Sequence, residues 1–424
     1  MHISMRPTHS VVSDWNSNPL FGGVYSFLRP QGTPDDRQRL AQEILPNLWL
    51  AGEYNWADGP GTLHGAVFSG ERAAHNVLAQ GNAAQQVIVI GAGLAGLSAA
   101  QLLSQQGYAV TVLEASPFVG GRARSDSSMG VSVPLGGAWL HGHQSHPLAS
   151  DVSHVAWPNW QPVNTFLVDH GQISNACVER VSALLARLES HWNTQTGLSL
   201  SVAEARQRSA EENALKPENA ADQHVLDGWI RFAYSSLISA PLHELSVEHR
   251  EEPYFLTGQN HLITGGLPDA IARRAAGLDI KLNQQVLALE KSASQWAVRT
   301  RDGQTLLADH VICATPVTAL RDERLHVSPS LPSDVQRCLS NIGFGKVAKT
   351  FFRFPERCWG DRLGFLITGP TAPPYETFVD MTQVTGSPTL CAFSTGENAL
   401  RAEQRSPEDR LNVVSELLIR AQVR

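Results

Sequence analysis

Residues 86–103 read QVIVIGAGLAGLSAAQLL, and three local patterns follow one another in this stretch. The β-branched run Val87–Ile90 predicts a strand that is buried on both faces. Three glycines with the spacing GxGxxG come next, followed by apolar residues at helical intervals. In that spacing Gly91 allows a tight turn, Gly93 lets the backbone approach a pyrophosphate, and Gly96 lets the helix pack on the strand. The stretch therefore predicts a Rossmann-type α/β fold that binds a dinucleotide.

An acidic residue follows at the distance that such a fold requires. A second apolar run, Ala109–Leu113, predicts the next strand and ends at Glu114, about 20 residues after the glycine turn. The Glu114 carboxylate can accept hydrogen bonds from both hydroxyls of a ribose. The free N–H groups and the dipole of the helix N-terminus favour the phosphates. The alternative is a glycine-rich turn without a nucleotide, which leaves the strand, the helix and the terminal acid unexplained.

The composition is that of a globular protein and limits its partners. The chain has 424 residues, of which 42% are hydrophobic and 17% charged. This length predicts roughly two or three domains. With 33 basic and 40 acidic side chains the net charge is −7, so we expect no nucleic-acid partner and no attraction to an anionic membrane. The longest apolar stretch, Val87–Leu103, is interrupted by glycine and polar residues, which argues against a membrane span.

The cysteines and histidines predict neither disulfides nor a metal site. Five cysteines are scattered along the chain without a CxxC pair, and residues 1–7 lack the apolar run of a signal peptide. The expected location is therefore the reducing cytoplasm. His141, His143 and His146 form an HxHxxH pattern, but no carboxylate or cysteine cluster accompanies them, so we expect no bound metal.

Two further glycine-rich motifs follow Glu114. Residues 115–125 read ASPFVGGRARS, and residues 135–142 read LGGAWLHG. Both resemble motifs of the flavin amine oxidase family, which includes monoamine and polyamine oxidases. In that family the first motif approaches the diphosphate of FAD and the second passes along the flavin ring. The resemblance implies FAD contacts at Gly120, Gly121, Arg122, Gly136, Gly137, Ala138 and Trp139.

The resemblance extends into the second half of the chain. Residues 260–268, NHLITGGLP, resemble the family's turn before a helix, and the strand pair within residues 280–290 places Val286 against the adenine. Residues 345–354, GKVAKTFFRF, resemble the segment that carries the family's active-site lysine. The implied lysine is Lys349, with Lys346 as the fallback, and in many members it holds a water at the reactive ring nitrogen of the flavin. The alternative is a surface lysine on an amphipathic strand.

The order of the motifs along the chain is unusual for this family. Residues 48–53, LWLAGE, and 60–74, PGTLHGAVFSGERAA, resemble a flavin-binding segment with which other members end. Trp15 and residues 18–26, NPLFGGVYS, resemble the stretch just before it. The order predicts a circular permutation joined through Leu78–Gln86. A fragment of a tandem array is the alternative.

The permuted segment supplies three implied contacts. Thr62 is suited to cap a helix that starts near Leu63, and by resemblance this helix points at the pyrimidine edge of the flavin. Its N–H groups and dipole would stabilise the negative charge of reduced flavin. Glu53 is implied to meet the ribityl chain or the phosphates, and its alternative is an ordinary loop acid.

The substrate side is less well defined by the sequence. Loss of hydride next to nitrogen is easiest from a neutral amine in a dry, aromatic site. By resemblance His141 helps to place the amine, with a structural histidine as the alternative. One of the family's paired aromatic rings falls at Tyr25, but the other falls at Thr62, so Tyr54 or Trp56 is the candidate replacement. Because residues 22–26 contain no cysteine, we expect noncovalent FAD.

We therefore expect a two-domain α/β flavoprotein that oxidises a small-molecule amine to an imine and passes electrons to oxygen or another acceptor. The expected FAD domain comprises residues 1–84, 85–146, 253–325 and 389–424, and a mixed α+β substrate domain comprises residues 147–252 and 326–388. The tryptophans at 157, 160, 192 and 229 are expected in the core of the substrate domain rather than against the substrate. Two alternatives stay open, a relative of flavin desaturases or protoporphyrinogen oxidase and an FAD-binding protein without turnover. The sequence predicts neither the amine nor the oligomeric state.

Overall fold

The structure is a computed structural model that describes residues 5–81, 85–157, 164–195, 197–211, 215–251 and 256–423. The helices in these ranges are α1 Pro34–Leu40, α2 Leu63–Leu78, α3 Leu94–Gln105, α4 Asn175–Asn193, α5 Val202–Ser209, α6 Ala220–Ile230, α7 Leu267–Ala275, α8 Val317–Arg321, α9 Ser333–Asn341, α10 Thr382–Thr385, α11 Gly396–Gln404 and α12 Pro407–Arg420. A 3₁₀ turn spans Glu53–Asn55, and a π-helical turn, Arg231–Ser236, directly continues α6.

The strands of the first half of the chain are β1 His9–Val12, β2 Ser26–Leu28, β3 Glu43–Leu45, β4 Leu48–Leu50, β5 Gln86–Ile90, β6 Ala109–Leu113, β7 Ser125–Asp126, β8 Val133–Pro134, β9 Trp139–Leu140, β10 Ser153–Ala156, β11 Thr165–Leu167 and β12 Gly171–Gln172. Those of the second half are β13 His261–Gly265, β14 Asp279–Lys281, β15 Val286–Ser292, β16 Gln295–Thr300, β17 Thr305–Ala308, β18 His310–Cys313, β19 His326–Ser328, β20 Ile342–Phe344, β21 Val347–Arg353, β22 Gly364–Thr368, β23 Thr377–Asp380 and β24 Thr389–Thr395.

The dinucleotide motif lies in a mainly parallel sheet, here called sheet I, with the strand order β14-β6-β5-β18-β4-β3. β5 carries the β-branched run before the glycine turn and pairs in parallel with β6 on one side and β18 on the other. Its residues 87–90 are buried, as expected for a strand covered on both faces. β4, from the first fifty residues, pairs in parallel with β18. The beginning of the chain is therefore part of the same sheet as the glycine motif.

Two helices from distant parts of the sequence pack closely beside sheet I. α2 lies against α3, the helix that follows the glycine turn, and apolar residues of both belong to one buried cluster. At their contact a Cβ on Gly70 would come within 2.0 Å of the Ala95 carbonyl oxygen. Glycine at position 70 is therefore what permits this close approach. The approach places the N-terminus of α2 near the glycine turn.

A second, larger sheet, here called sheet II, has the strand order β1-β21-β24-β23-β22-β11-β12. Its central strands β21, β24, β23 and β22 are antiparallel neighbours. β1 pairs antiparallel with β21, so that His9 lies opposite Arg353. The first fifty residues thus contribute β1 to sheet II and both β3 and β4 to sheet I.

The two described ends of the chain lie side by side. The Arg6 guanidinium binds Glu408 Oε1 at 2.5 Å and Asn412 Oδ1 at 2.7 Å, both on α12. Met5 and Val423 contact the same buried apolar cluster. Residues 82–84, within the expected join between α2 and β5, lie outside the described residues, as does Trp160.

Trp192 and Trp229 are buried in one apolar cluster with residues of α4, α5 and α6, as expected for core side chains. The proposed domain boundaries stay a prediction. Within the described ranges, no helix combines the length and the apolar character that a membrane crossing requires.

Two buried histidines lie where α2 begins. His64 is in the first turn of α2, and neither of its ring nitrogens has a hydrogen-bond partner among the described residues. The His146 ring lies at a centroid distance of 5.4 Å, and its Nδ1 accepts a hydrogen bond from the Leu148 N–H. Burial lowers the pKa of His64 to about 4. Burial, reinforced by His64, lowers the pKa of His146 to about 3, so both rings are neutral at physiological pH.

We predict that this arrangement lowers stability in acid. In the unfolded chain histidine takes up a proton from a pKa of 6.5 downward, whereas folded His64 takes one up only near pH 4. Its contribution to stability is therefore complete above pH 6.5 and is lost as the pH falls towards 4. His64→Gln should reduce the loss in the free energy of unfolding between about pH 7 and about pH 4.5 by about 2 kcal/mol, as measured by urea unfolding.

His75→Gln, on the exposed side of the same helix, is the matched control and should show the full wild-type loss. Equal losses in the wild type and in His64→Gln would contradict this prediction.

Candidate active site

A cavity of about 710 Å³ is lined by residues of both large sheets and of the loops between them. One region of it lies along the glycine turn and the end of β6, and another lies against sheet II and the π-helical turn. Of the residues that the sequence assigned to cofactor binding or catalysis, all but Gly96 line this cavity, whereas the fallback candidates Lys346, Tyr54 and Trp56 do not.

Two glycines of the turn have different roles: one leaves space for a ligand, and the other lets α3 pack closely against the turn. A Cβ on Gly93 would face open space, with Gly121 Cα at 4.0 Å as its nearest neighbour. A Cβ on Gly96 would instead come within 1.9 Å of the Gly91 carbonyl oxygen. Gly96 therefore lets α3 pack against the turn, while Gly93 opens the backbone to the cavity. Gly91 has a φ of +103°, a conformation that glycine adopts readily.

Glu114 is held at the end of β6 by backbone donors. Its Oε2 accepts a hydrogen bond from the Ala92 N–H at 2.6 Å, and its Oε1 accepts one from the Ser116 N–H at 2.7 Å. Each carboxylate oxygen has a further lone pair for a ligand hydroxyl. Val286 lies nearby in the fold, because the Gln284 N–H donates to the Glu114 carbonyl oxygen at 2.7 Å. This region of the cavity fits the adenosine portion of a dinucleotide.

Glu53 is a buried carboxylate bound by groups from several segments. Its Oε1 lies 2.9 Å from Arg122 Nη1, and its Oε2 accepts hydrogen bonds from the Ser26 hydroxyl at 2.7 Å and the Gly61 N–H at 2.9 Å. Burial alone would raise the pKa of Glu53, but Arg122, Ser26 and Arg37 outweigh it and hold the pKa below its usual value. Glu53 is therefore ionised, and both of its oxygens are engaged by the protein.

The N-terminus of α2 faces the cavity. Thr62 caps the helix, as its sequence predicts, because its Oγ1 accepts a hydrogen bond from the Gly65 N–H at 2.9 Å. The Leu63 side chain lies against the Gly137 backbone, where a Cβ would come within 2.4 Å of Leu63 Cδ2. The helix end and the segment Gly136–Trp139 thus form adjoining parts of one wall.

Lys349, on β21, reaches that same wall. Its Nζ donates to the Gly136 carbonyl oxygen at 2.6 Å and lies 5.8 Å from the centroid of the Phe393 ring. Burial lowers the pKa of the Lys349 amine, because the charged form loses solvation. Lys346 does not line the cavity. The geometry therefore favours Lys349 over Lys346 as the site lysine.

His141 follows the Gly136–Trp139 segment and lines the cavity beside two tryptophans. Its Nδ1 lies 3.2 Å from Asn260 Oδ1. Burial lowers the pKa of His141, and the contact with Asn260 opposes that shift. Trp139 and Trp157 form an edge-to-face pair at 5.5 Å, so Trp157 borders the cavity as well as the core. No group of metal-ligating side chains is found in the part of the chain that the structure describes.

The aromatic lining differs from the sequence expectation. Tyr25 lies beside the Gly61 turn, where a Cβ on Gly61 would come within 3.2 Å of its ring. Neither Tyr54 nor Trp56 lines the cavity, so neither replaces the second ring. Tyr54 points into the core next to sheet I, and Trp56 packs against Phe68.

Sequence reasoning missed the π-helical turn that forms the opposite wall. Phe232, Ser236, Leu237 and Ile238 all line the cavity. Arg231, at the start of the turn, binds Glu376 with 2.5 Å between Nε and Oε1. The missed turn belongs to a region without a recognisable motif, and its π geometry has no sequence signal of its own.

The residues present fit FAD in kind and in placement. Glu114 suits a ribose, the open backbone at Gly93 suits a pyrophosphate, and the wall of Gly136–Trp139 suits a flat ring. No cysteine lines the cavity among the described residues.

Comparisons with known proteins give the same result. A family model described as "Flavin containing amine oxidoreductase" matches residues 4–78 and 94–421. Polyamine oxidase 4 of Oryza sativa subsp. japonica is 27% identical over 346 residues, which cover 77% of this chain and 71% of that protein. Polyamine oxidase 2 of Arabidopsis thaliana is also 27% identical over 346 residues, which cover 77% of this chain and 70% of that protein.

A solved structure of a putrescine oxidase double mutant shares the fold. It has a TM-score of 0.58 at 20% sequence identity and covers 79% of this chain and 81% of its own. The match of the family model over both stretches, the shared fold and the FAD-shaped lining agree with one another. The chain therefore belongs to the family of flavin-containing amine oxidoreductases.

Proposed function

We propose that this protein is an FAD-dependent amine oxidase in which Lys349 and His141 act on the substrate side of the cavity. The observation that carries this proposal is the contact of Lys349 Nζ with the Gly136 carbonyl oxygen, because Gly136 belongs to the wall expected along the flavin. FAD, when bound, supplies the acceptor for a two-electron oxidation. The relatives named polyamine oxidase and the family match support amine oxidation over a desaturase and over a protein without turnover.

The reaction removes one C–H bond and one N–H bond from the substrate. The C–H electron pair leaves as hydride, the nitrogen loses a proton, and a C=N bond forms. Water then adds to the imine, so that an amine RCH₂NH₂ ends as an aldehyde and ammonia. The two electrons pass finally to oxygen or another acceptor, which we propose as the second substrate.

The chain's own groups favour a neutral amine for this step. Burial lowers the pKa of both Lys349 and His141, which increases the neutral fraction of each side chain. A neutral Lys349 amine can accept a proton or hold a water by hydrogen bonding. Trp139, Trp157 and Phe393 give this region an aromatic lining, which suits hydride loss next to nitrogen in a dry site.

We further propose that the chain order is a circular permutation of the family's order. The family model matches two separate stretches, residues 4–78 before the join between α2 and β5 and residues 94–421 after it. β4 lies in sheet I and β1 in sheet II, so residues 5–78 complete the same cavity that the rest of the chain forms. The contact of Arg6 with α12 supports this proposal over a tandem fragment.

We propose a location in a reducing compartment, and the support for it is the state of the cysteines. All five are buried, and all five are free thiols. Cysteines that stay as free thiols are typical of proteins that work in the cytoplasm.

Replacing Lys349 tests the assignment of the site lysine. Lys349→Met should slow anaerobic reduction of the bound flavin by an amine at least about tenfold, because the only amine at the Gly136 wall among the described residues is lost. The rate is measured by the loss of the flavin absorption band in a stopped-flow instrument. Lys346→Met is the matched control and should react like the wild type. Unchanged kinetics in Lys349→Met would refute the assignment.

Replacing Glu53 tests the buried pair beside the cofactor region. Glu53→Gln leaves the Arg122 guanidinium without its carboxylate, so the free energy of unfolding should fall by about 3 kcal/mol. Less FAD should remain on the protein after gel filtration, read from the ratio of flavin to protein absorbance. Asp169→Asn breaks an exposed pair with Arg420 and is the control, which should keep both values. Full FAD retention in Glu53→Gln would contradict this role.

Rearranging the chain tests the permutation. A gene in which residues 85–424 precede residues 1–81 should yield a monomer that binds one FAD, because the ends to be joined lie side by side. The control places the new ends between Val311 and Ile312, inside β18 of sheet I, and should fail to fold. Two results together would favour the alternative, a fragment of a tandem array. The first rearranged chain would fail to bind FAD, and chains in the native order would form dimers that exchange segments.

A further inference from the structure

The cavity has acidic side chains in its cofactor region. The described lining of the other region, towards sheet II and the π-helical turn, has none. Glu53 and Glu114 line the cofactor region, and both carboxylates are already bound by protein donors. Towards sheet II and the π-helical turn, the ionisable lining groups among the described residues, apart from Tyr25, are His141 and Lys349. Both become cations rather than anions. A cationic group of a ligand would therefore meet no negative charge there.

One carboxylate does lie behind this lining, but other groups of the protein already bind it. Glu376 precedes Thr377, which borders the cavity. Its Oε1 lies 2.5 Å from Arg231 Nε, and its Oε2 accepts a hydrogen bond from Thr395 Oγ1 at 3.4 Å. Burial raises the pKa of Glu376 and the Arg231 guanidinium opposes that shift. Both carboxylate oxygens are thus engaged, and neither is offered to a ligand.

The remaining wall is apolar and firmly held. The π-helical turn and the two residues after it present Phe232, Leu237 and Ile238 to the cavity. Tyr25 donates its hydroxyl proton to the Leu237 carbonyl oxygen at 2.9 Å, and Thr377 Oγ1 lies 3.1 Å from Ser236 Oγ. Together with the Arg231 ion pair, these bonds fix the turn against sheet II. This wall, with Val379 and Phe393 of sheet II, is here called the apolar compartment.

We propose that the substrate is a monoamine, a single amino group on an apolar alkyl or aryl body, and not a diamine or polyamine. This inference rests on the proposed amine oxidation and names its substrate class. The amino group reacts beside Lys349 and His141 while the apolar body fills the apolar compartment. If the apolar body occupies this compartment, a second ammonium group buried with it would leave water where the described lining offers no anion, which is strongly unfavourable. The relatives' name, polyamine oxidase, describes those proteins, and the lining of this cavity differs from what a polycation requires.

Two amines of equal chain length test the proposal directly. The holoenzyme is mixed anaerobically with 1-aminohexane or with 1,6-diaminohexane, and the second-order rate constant for flavin reduction is measured from the loss of the flavin absorption band. We expect the monoamine to be favoured at least about tenfold, since tenfold corresponds to about 1.4 kcal/mol and an unpaired buried charge costs more. A diamine that reacts equally well or better overturns the proposal.

Binding is measured separately from turnover. Each amine is added anaerobically at equal concentration, and the shift of the melting temperature is recorded. The monoamine should raise it and the diamine should raise it less. If neither amine is oxidised, the proposed function fails, and the melting shifts still decide whether a second charge is rejected.

A designed carboxylate provides the complementary test. Leu237 lines the cavity and is 53% exposed, so Leu237→Asp adds an anion at its rim with little cost to the fold. This variant should shift the ratio of the second-order rate constants for diamine over monoamine upward by about two- to fivefold, the range expected for an exposed ion pair. Leu198→Asp is the matched control, because Leu198 is 55% exposed and does not line the cavity. A ratio unchanged by Leu237→Asp, or changed equally by Leu198→Asp, contradicts the proposal.

Discussion

The buried ion pair between Glu53 and Arg122 holds together the parts of the chain that form the cofactor region. One oxygen of Glu53 binds the arginine of the GGR motif, and the other binds Ser26 and the backbone of Gly61. A carboxylate with so little exposure is stable only when such partners compensate for its lost hydration. The pair therefore fixes the Tyr25 segment, the turn before α2 and the GGR turn relative to one another. The rest of the cavity lining depends on that arrangement.

The cavity that this ion pair helps to form has two different kinds of wall. The wall at Gly136–Trp139 consists of backbone and a flat aromatic ring, and Lys349 is fixed to it through a carbonyl oxygen. The opposite wall is a π-helical turn that side-chain hydrogen bonds hold against sheet II. π turns inside helices are rare and occur frequently at functional sites, because they displace side chains from ordinary helical positions. Here the displacement brings Phe232 and Ser236 together on the cavity.

Local motifs could be predicted from the sequence because each depends on neighbouring residues. The strand before Gly91 and the cap at Thr62 are examples, since a β-branched run and a capping hydroxyl act within a few residues. The partners of Glu53 could not be predicted, because its charge is compensated by residues far apart in sequence. The suggestion that Tyr54 or Trp56 supplies a second ring was wrong because Tyr54 packs into the core beside sheet I and Trp56 packs against Phe68. The Arg231–Glu376 pair lies outside any motif and depends wholly on tertiary structure.

The pairing of β1 with β21 has a consequence for how the protein matures. Thr8 and Arg353 hydrogen-bond to each other although they are 345 positions apart. During synthesis β1 leaves the ribosome long before its partner β21, and β4 leaves it long before its partner β18, so both strands wait for most of the described chain. Their apolar side chains are exposed during that interval, and the cofactor compartment closes only when the later strands have formed. Flavin loading should therefore be a late, post-translational event, and a chaperone that shields the early segment would raise the yield of holoenzyme.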